Sequence, residues 1–111
     1  MNWFIDAHED LAWNMACFNR DYSRSAYQTR RAEEGTSIPP YTGDTMLGWP
    51  EYNQAKVALV FGTLFVSPAR PGSLDARDNQ IYATAREANQ LTWNQLGSYH
   101  RLCDLKPHAF R

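Results

Sequence analysis

The stretch WFIDAHEDLAW, residues 3–13, sets a short apolar run against a cluster of polar groups. Trp3 to about Ala7 reads as a strand. From Glu9 the pattern turns helical, with Leu11, Met15 and Phe18 spaced by four and three on one face. Asp6, His8 and Asp10 fall at alternate positions across this change. Residues two apart in a strand project the same way, so the three share a face if the extended conformation persists that far. At the carboxyl end of a parallel strand such a face stands at the mouth of an α/β barrel, where those folds place their chemistry. Imidazole and carboxylate are good ligands for zinc and similar ions, which makes His8 and Asp10 candidate metal ligands. Asp6, one step deeper, suits a hydrogen bond to a ligand rather than contact with the metal itself. Glu9 points the other way and reads as a helix-start carboxylate favoured by the dipole. Taken alone, H-x-D is a weak signal, because a loop or a helix cap gives the same letters.

The context comes from the rest of the chain. KVALVFGTLFV, residues 56–66, is continuously apolar rather than alternating, which suits a strand over Val57–Val66 buried on both faces of a parallel sheet. Between the two strands, helical character resumes around Ser25 to Glu34 and stops at Gly35. Residues 36–55 hold Pro39, Pro40, Gly43, Gly48 and Pro50 and read as an irregular loop. The aromatic residues of its segment YTGDTMLGWPEY are suited to covering apolar surface within the loop, with the lining of a substrate mouth as the alternative. After the second strand, SPARPGSLDARDN is turn-rich, with Ser67-Pro68 and Pro71-Gly72 as turn pairs. A long helix is expected from Gln80 to Asp104 on the steps Ile81, Ala85, Ala88, Leu91, Gln95, Tyr99 and Leu102, with Asp78 as its cap and Pro107 just beyond it.

The order strand, helical segment, loop, strand, helix is an α/β pattern containing one βαβ unit. An isolated two-stranded sheet is not independently stable. The apolar second strand needs neighbours at both edges and layers on both faces. The expected architecture is therefore the first two βα units of a larger α/β barrel, with residues 1–111 as its amino-terminal part and a third strand due after Arg111.

Hydrophobic residues at 43% and aromatics at 14% exclude disorder. A formal charge of −1, with no basic patch among aromatics, gives no sign of nucleic-acid binding. Cys17 and Cys103 lie among apolar neighbours in helical patterns and read as small buried hydrophobes. Met1-Asn2 runs straight into the first strand without a signal peptide, and the longest apolar run is about half a membrane span, so a cytoplasmic protein with no transmembrane segment is expected. His100, Cys103, Asp104 and His108 match no strong zinc spacing and read as ordinary helix surface. Phosphate-binding and dinucleotide-binding fingerprints are missing from the sequence.

IDAHEDLAWN, followed by RDY, MLGWPEY, VALVFGTLFVSPAR and QLGSYHRL, resembles the amino-terminal part of the membrane dipeptidase family, over essentially the whole chain and in order. The resemblance implies a TIM barrel related to the amidohydrolases and a zinc-dependent dipeptidase, with a dipeptide as substrate. In that family the first strand ends in Asp-x-His-x-Asp, whose histidine and second aspartate bind one zinc of a binuclear pair. The positions that match are His8 and Asp10. Many members carry Gly and Asn types where this chain has Ala7 and Glu9, and neither position is a ligand. The family's bridging glutamate, its remaining zinc histidines and its substrate-binding residues have no counterparts in residues 1–111. The chain is thus expected to carry part of a site and to be inactive alone. Two other readings stand beside it: another amidohydrolase, or a non-catalytic module that forms homo-oligomers through its strand edges.

Overall fold

The computed structural model describes residues 2–72 and 78–111. The connection SPARPGSLDARDN is thus seen only at its two ends, and residues 73–77 lie outside the described part. The elements run β1 (Phe4–Glu9), α1 (Leu11–Phe18), α2 (Ala26–Glu33), α3 (Ile38–Thr42), α4 (Trp49–Gln54), β2 (Val57–Gly62), β3 (Ser67–Pro68), β4 (Ile81–Tyr82) and α5 (Ala85–Leu105). The fold is mixed α/β. β1 and β2 pair in parallel, joined by a crossover of four helices, as the βαβ pattern requires.

Several boundaries differ from the sequence reading, each for a local reason. β1 continues through His8 to Glu9 rather than ending near Ala7. The 36–55 segment contains α3 and α4, because Pro39, Pro40 and Pro50 occupy first-turn positions, where a missing N–H costs nothing and the fixed φ favours the helix. β2 stops at Gly62 instead of reaching Val66. Ser67-Pro68 is not a turn but a short parallel pairing with Ile81-Tyr82. This strand takes the residues assigned to the start of the last helix. α5 begins at Ala85, capped by Thr84 and Glu87 in a reciprocal capping box; Asp78 instead accepts from the Gln80 N–H. Pro107 does follow the end of α5.

Helix packing provides the core. Leu11 of α1, Tyr22 and Leu102 of α5 are buried together, ringed by Met15, Leu47, Val60, Tyr99 and Phe110. Arg20 and Glu33 form a buried ion pair beside this cluster. The guanidinium donates to both Glu33 oxygens at 2.8 and 2.9 Å, and also to Asn14 Oδ1 and the Gly43 carbonyl, each at 2.9 Å. One side chain thereby ties α1, α2 and the segment after α3. α4 is seated on the start of α2 by Glu51, which accepts from the Ser25 hydroxyl at 2.6 Å and the Ala26 N–H at 3.0 Å. Gly48 makes that seat possible, since a Cβ there would lie 2.1 Å from the Arg24 carbonyl oxygen. The loop aromatics pack across elements rather than within the loop: Tyr41 lies edge-on to Phe18, Trp49 edge-on to Phe110, and Tyr52 is buried.

The sheet is far less covered than the continuously apolar second strand, expected to be buried on both faces, requires. Trp3, Phe4 and Ile5 are 60–66% exposed, and Leu59 and Phe61 of β2 are 48% and 56% exposed. Among the described residues, β1 and β2 each have one free edge, and the helices do not cover both faces. The accessible surface of 7688 Å² exceeds the roughly 6,300 Å² typical of a compact monomer of this mass. Cys17 and Cys103 are half-buried rather than buried. Cys17 points its thiol at Asp78 and Asn79, and desolvation pushes its pKa up to about 11. No described helix is long and apolar enough to cross a membrane.

Candidate metal centre

β1 ends at Glu9 and α1 begins at Leu11, so Asp10 occupies the cap position between them. An aspartate there ordinarily accepts from amides of the first helical turn. Asp10 makes no such bond. Its Oδ1 lies 3.4 Å from His8 Nε2 and accepts the Thr63 hydroxyl from the end of β2. The structure therefore brings His8 and Asp10 together at the carboxyl end of a parallel strand, as their spacing suggested. Both side chains are open to solvent, His8 by 70% and Asp10 by 42%.

The separation can be tested against metal chemistry. In a tetrahedral zinc site with ligand bonds of about 2.0–2.2 Å, neighbouring donor atoms sit roughly 3.3–3.6 Å apart. The His8 Nε2 to Asp10 Oδ1 distance of 3.4 Å matches one edge of such a shell. An imidazole nitrogen and a carboxylate oxygen are also the right donors. Zinc sites use three or four protein ligands, and among the described residues no group of three or more His, Cys, Asp or Glu is placed to hold a metal. The pair fits one edge of a site and is not a complete cage. His100 and His108 are exposed, on α5 and beyond its end.

Asp6 does not join this pair on one face. In the β1–β2 register Asp6 lies opposite Val60 and Glu9 opposite Gly62, so three steps on β1 match two on β2. A one-residue bulge of this kind reverses the alternation beyond it. It brings Glu9 to the side of Asp6, whose carboxyl shares a hydrogen bond with it. The reading of Glu9 as an outward helix-start carboxylate is corrected. Its pKa is raised to about 7, first by burial, then by the hydrogen bond to Asp6 and the charges of Asp6 and Asp10. Asp6 reaches His8 only through the backbone, accepting the His8 N–H at 3.2 Å. The bulge thus sorts four polar residues into an inner pair, Asp6 and Glu9, and an outer pair, His8 and Asp10. Around the inner pair stand Tyr22, Tyr52 and Tyr99, whose pKa values are pushed up chiefly by desolvation and further by the charge on Glu9.

Two residues of the site carry no sign of that role in the sequence. Thr63 lies just past β2, its N–H donating to the Glu9 carbonyl at 2.9 Å and its hydroxyl meeting Asp10. Tyr99 of α5 donates its hydroxyl to the Thr63 carbonyl at 2.8 Å and accepts the Ala12 N–H at 3.3 Å. The helical spacing marked Tyr99 only as a core position, while Thr63 sat inside an apolar run with nothing to distinguish it. Comparison with family models, with curated proteins and with solved structures finds no match to this chain.

Proposed function

We propose that this chain is the metal-carrying amino-terminal part of a zinc-dependent dipeptidase of the TIM-barrel type, as its resemblance to the membrane dipeptidase family implies. The observation that carries the reading is the His8–Asp10 pair, with its donor atoms 3.4 Å apart at the carboxyl end of β1 and the Asp10 side chain withheld from helix capping. His8 and Asp10 hold one zinc ion, and the remaining ligands of a two-zinc site come from elsewhere in the active protein. When bound, zinc supplies Lewis acidity toward a peptide carbonyl and an activated water. This chain's own residues fix the ligands: the Thr63 hydroxyl sits on Asp10, and the Asp6 carboxylate anchors the His8 backbone. The open position of the pair leaves room for a dipeptide and for further ligands. The test is dipeptide hydrolysis by the zinc-loaded product of the whole reading frame that contains residues 1–111. Asp10→Ala should abolish turnover while leaving the circular dichroism spectrum unchanged. Unchanged turnover in that variant removes the metal assignment.

The exposed apolar sheet favours a second reading, a non-catalytic module that buries Trp3, Phe4, Ile5, Leu59 and Phe61 against a second copy of itself. Hydrolysis that depends on Asp10 separates the two, since the module has no use for that carboxylate.

A further inference from the structure

We propose that Thr63 is a positioning residue for Asp10, and that Tyr99 holds Thr63 in place for it. This inference rests on the reading of His8 and Asp10 as metal ligands.

The geometry starts with a carboxylate in an unusual state. Asp10 stands at the cap of α1, where swinging inward to the first-turn amides is its ordinary option, and it does not take it. What holds it outward is the Thr63 hydroxyl, donated to Oδ1. That hydroxyl also lies 3.2 Å from the Glu9 carbonyl. It has one proton, and the charged carboxylate is the stronger acceptor. The Glu9 carbonyl is already satisfied by the Thr63 N–H at 2.9 Å, which extends the β1–β2 ladder past Gly62. With one Asp10 oxygen engaged on its strand side, the orientation of the carboxylate is set and its other lone pairs face His8 and solvent. Hydrogen bonds of this kind to a ligating carboxylate orient it before the metal arrives.

Thr63 is in turn fixed from behind. The Tyr99 hydroxyl donates to the Thr63 carbonyl and accepts from the Ala12 N–H in the first turn of α1. One phenol thus ties the end of β2 to the start of the helix at whose cap position Asp10 stands. It reaches there because residue 62 is glycine: a Cβ on Gly62 would stand 2.7 Å from the Tyr99 ring and hydroxyl. The sequence Gly62-Thr63 with Tyr99 forms a relay from α5 through β2 to Asp10.

The alternative is that Thr63 only stabilises a strand end, and Thr63→Val and Thr63→Ser separate these roles. Valine keeps the shape and the backbone bond but removes the hydroxyl, while serine restores it. Three-bond couplings to the Asp10 Cγ in the metal-free product of the whole reading frame that contains residues 1–111 report its side-chain rotamer. Displacement of the His8 imidazole resonances by added zinc reports apparent affinity. We expect one Asp10 rotamer in the wild type and in Thr63→Ser, and averaging in Thr63→Val. Apparent zinc affinity should fall about 10- to 100-fold in Thr63→Val and stay within about threefold in Thr63→Ser. A single Asp10 rotamer in Thr63→Val, or an unchanged zinc response in that variant, overturns the positioning role alone. A wild-type His8 that ignores zinc overturns the ligand reading, and this role toward the metal falls with it.

Discussion

Replacing Glu33 by Gln leaves the shape of the helix packing almost unchanged and strips the buried Arg20 of its counter-charge. The two side chains are only 6% and 7% exposed, so water cannot replace the lost carboxylate. Breaking a buried ion pair in this way costs about 3–5 kcal/mol, because the orphaned charge keeps its desolvation penalty. Arg20 retains its hydrogen bonds to Asn14 and the Gly43 carbonyl, which places the expected loss near the lower limit, about 3 kcal/mol. For 111 residues the unfolding entropy is roughly 0.23 kcal/mol per kelvin, so the midpoint should fall by about 13 °C. A chain of this length has only about 6–17 kcal/mol in total. Thermal unfolding followed by circular dichroism measures the shift directly. High salt should change it little, since a buried pair is poorly screened. Replacing both partners together, Arg20→Met with Glu33→Leu, should recover most of the loss, because an apolar pair carries no desolvation cost. A Glu33→Gln midpoint within a few degrees of wild type would refute the claim that this pair organises α1, α2 and the segment after α3.

Three further outcomes follow from other parts of the molecule. Glu9 has a folded pKa raised to about 7, so the protonated form is favoured by folding; its contribution to stability is fully present below about pH 4.5 and is lost as pH rises through about 7, amounting to about 1 kcal/mol once solvent screening is allowed for, and Glu9→Gln should remove that component of the pH dependence in denaturant titrations. Gln95 is 1% exposed and clamps the Phe65 backbone, accepting its N–H at 2.8 Å and donating to its carbonyl, so Gln95→Leu should cost about 2–4 kcal/mol in the same assay, and a loss under about 1 kcal/mol would show the clamp to be dispensable. The exposed strand residues Ile5, Leu59 and Phe61 should make the 111-residue chain self-associate at micromolar concentration, which size-exclusion chromatography checks; a monodisperse monomer with a single sharp unfolding transition would show that the sheet needs no further cover.

Hydrophobic periodicity made the two parallel strands and the long last helix legible, since both signals extend over many residues. It failed where a single residue decides. Prolines at 39, 40 and 50 read as breakers, yet each sits in a helical first turn. Ile81 fits an apolar helical step as well as it fits a strand, so the helix start was set too early, although the Thr84-x-x-Glu87 capping box marks it. Burial was overestimated because a continuous apolar run shows that a strand wants cover, not that the cover is there. At the site, alternate spacing carried His8 and Asp10. The bulge between Asp6 and Glu9 leaves no mark in the letters, and so the pairing of those two carboxyls was invisible. Thr63 reaches Asp10 across 53 residues of chain, a contact that only the β1–β2 register creates.

The proposed metal-binding role of His8 and Asp10 is open to a direct titration. The chain contains three histidines, which makes the test internally controlled. Zinc is titrated into the metal-free product of the whole reading frame that contains residues 1–111 while the imidazole resonances of His8, His100 and His108 are followed by NMR. Residues 1–111 alone should bind zinc only weakly, since zinc sites use three or four protein ligands. His8 should shift first and saturate, His100 and His108 should respond no more than free imidazole does, and Asp10→Ala should remove the His8 preference. Equal response of all three histidines, or an unchanged His8 response in Asp10→Ala, would contradict that role.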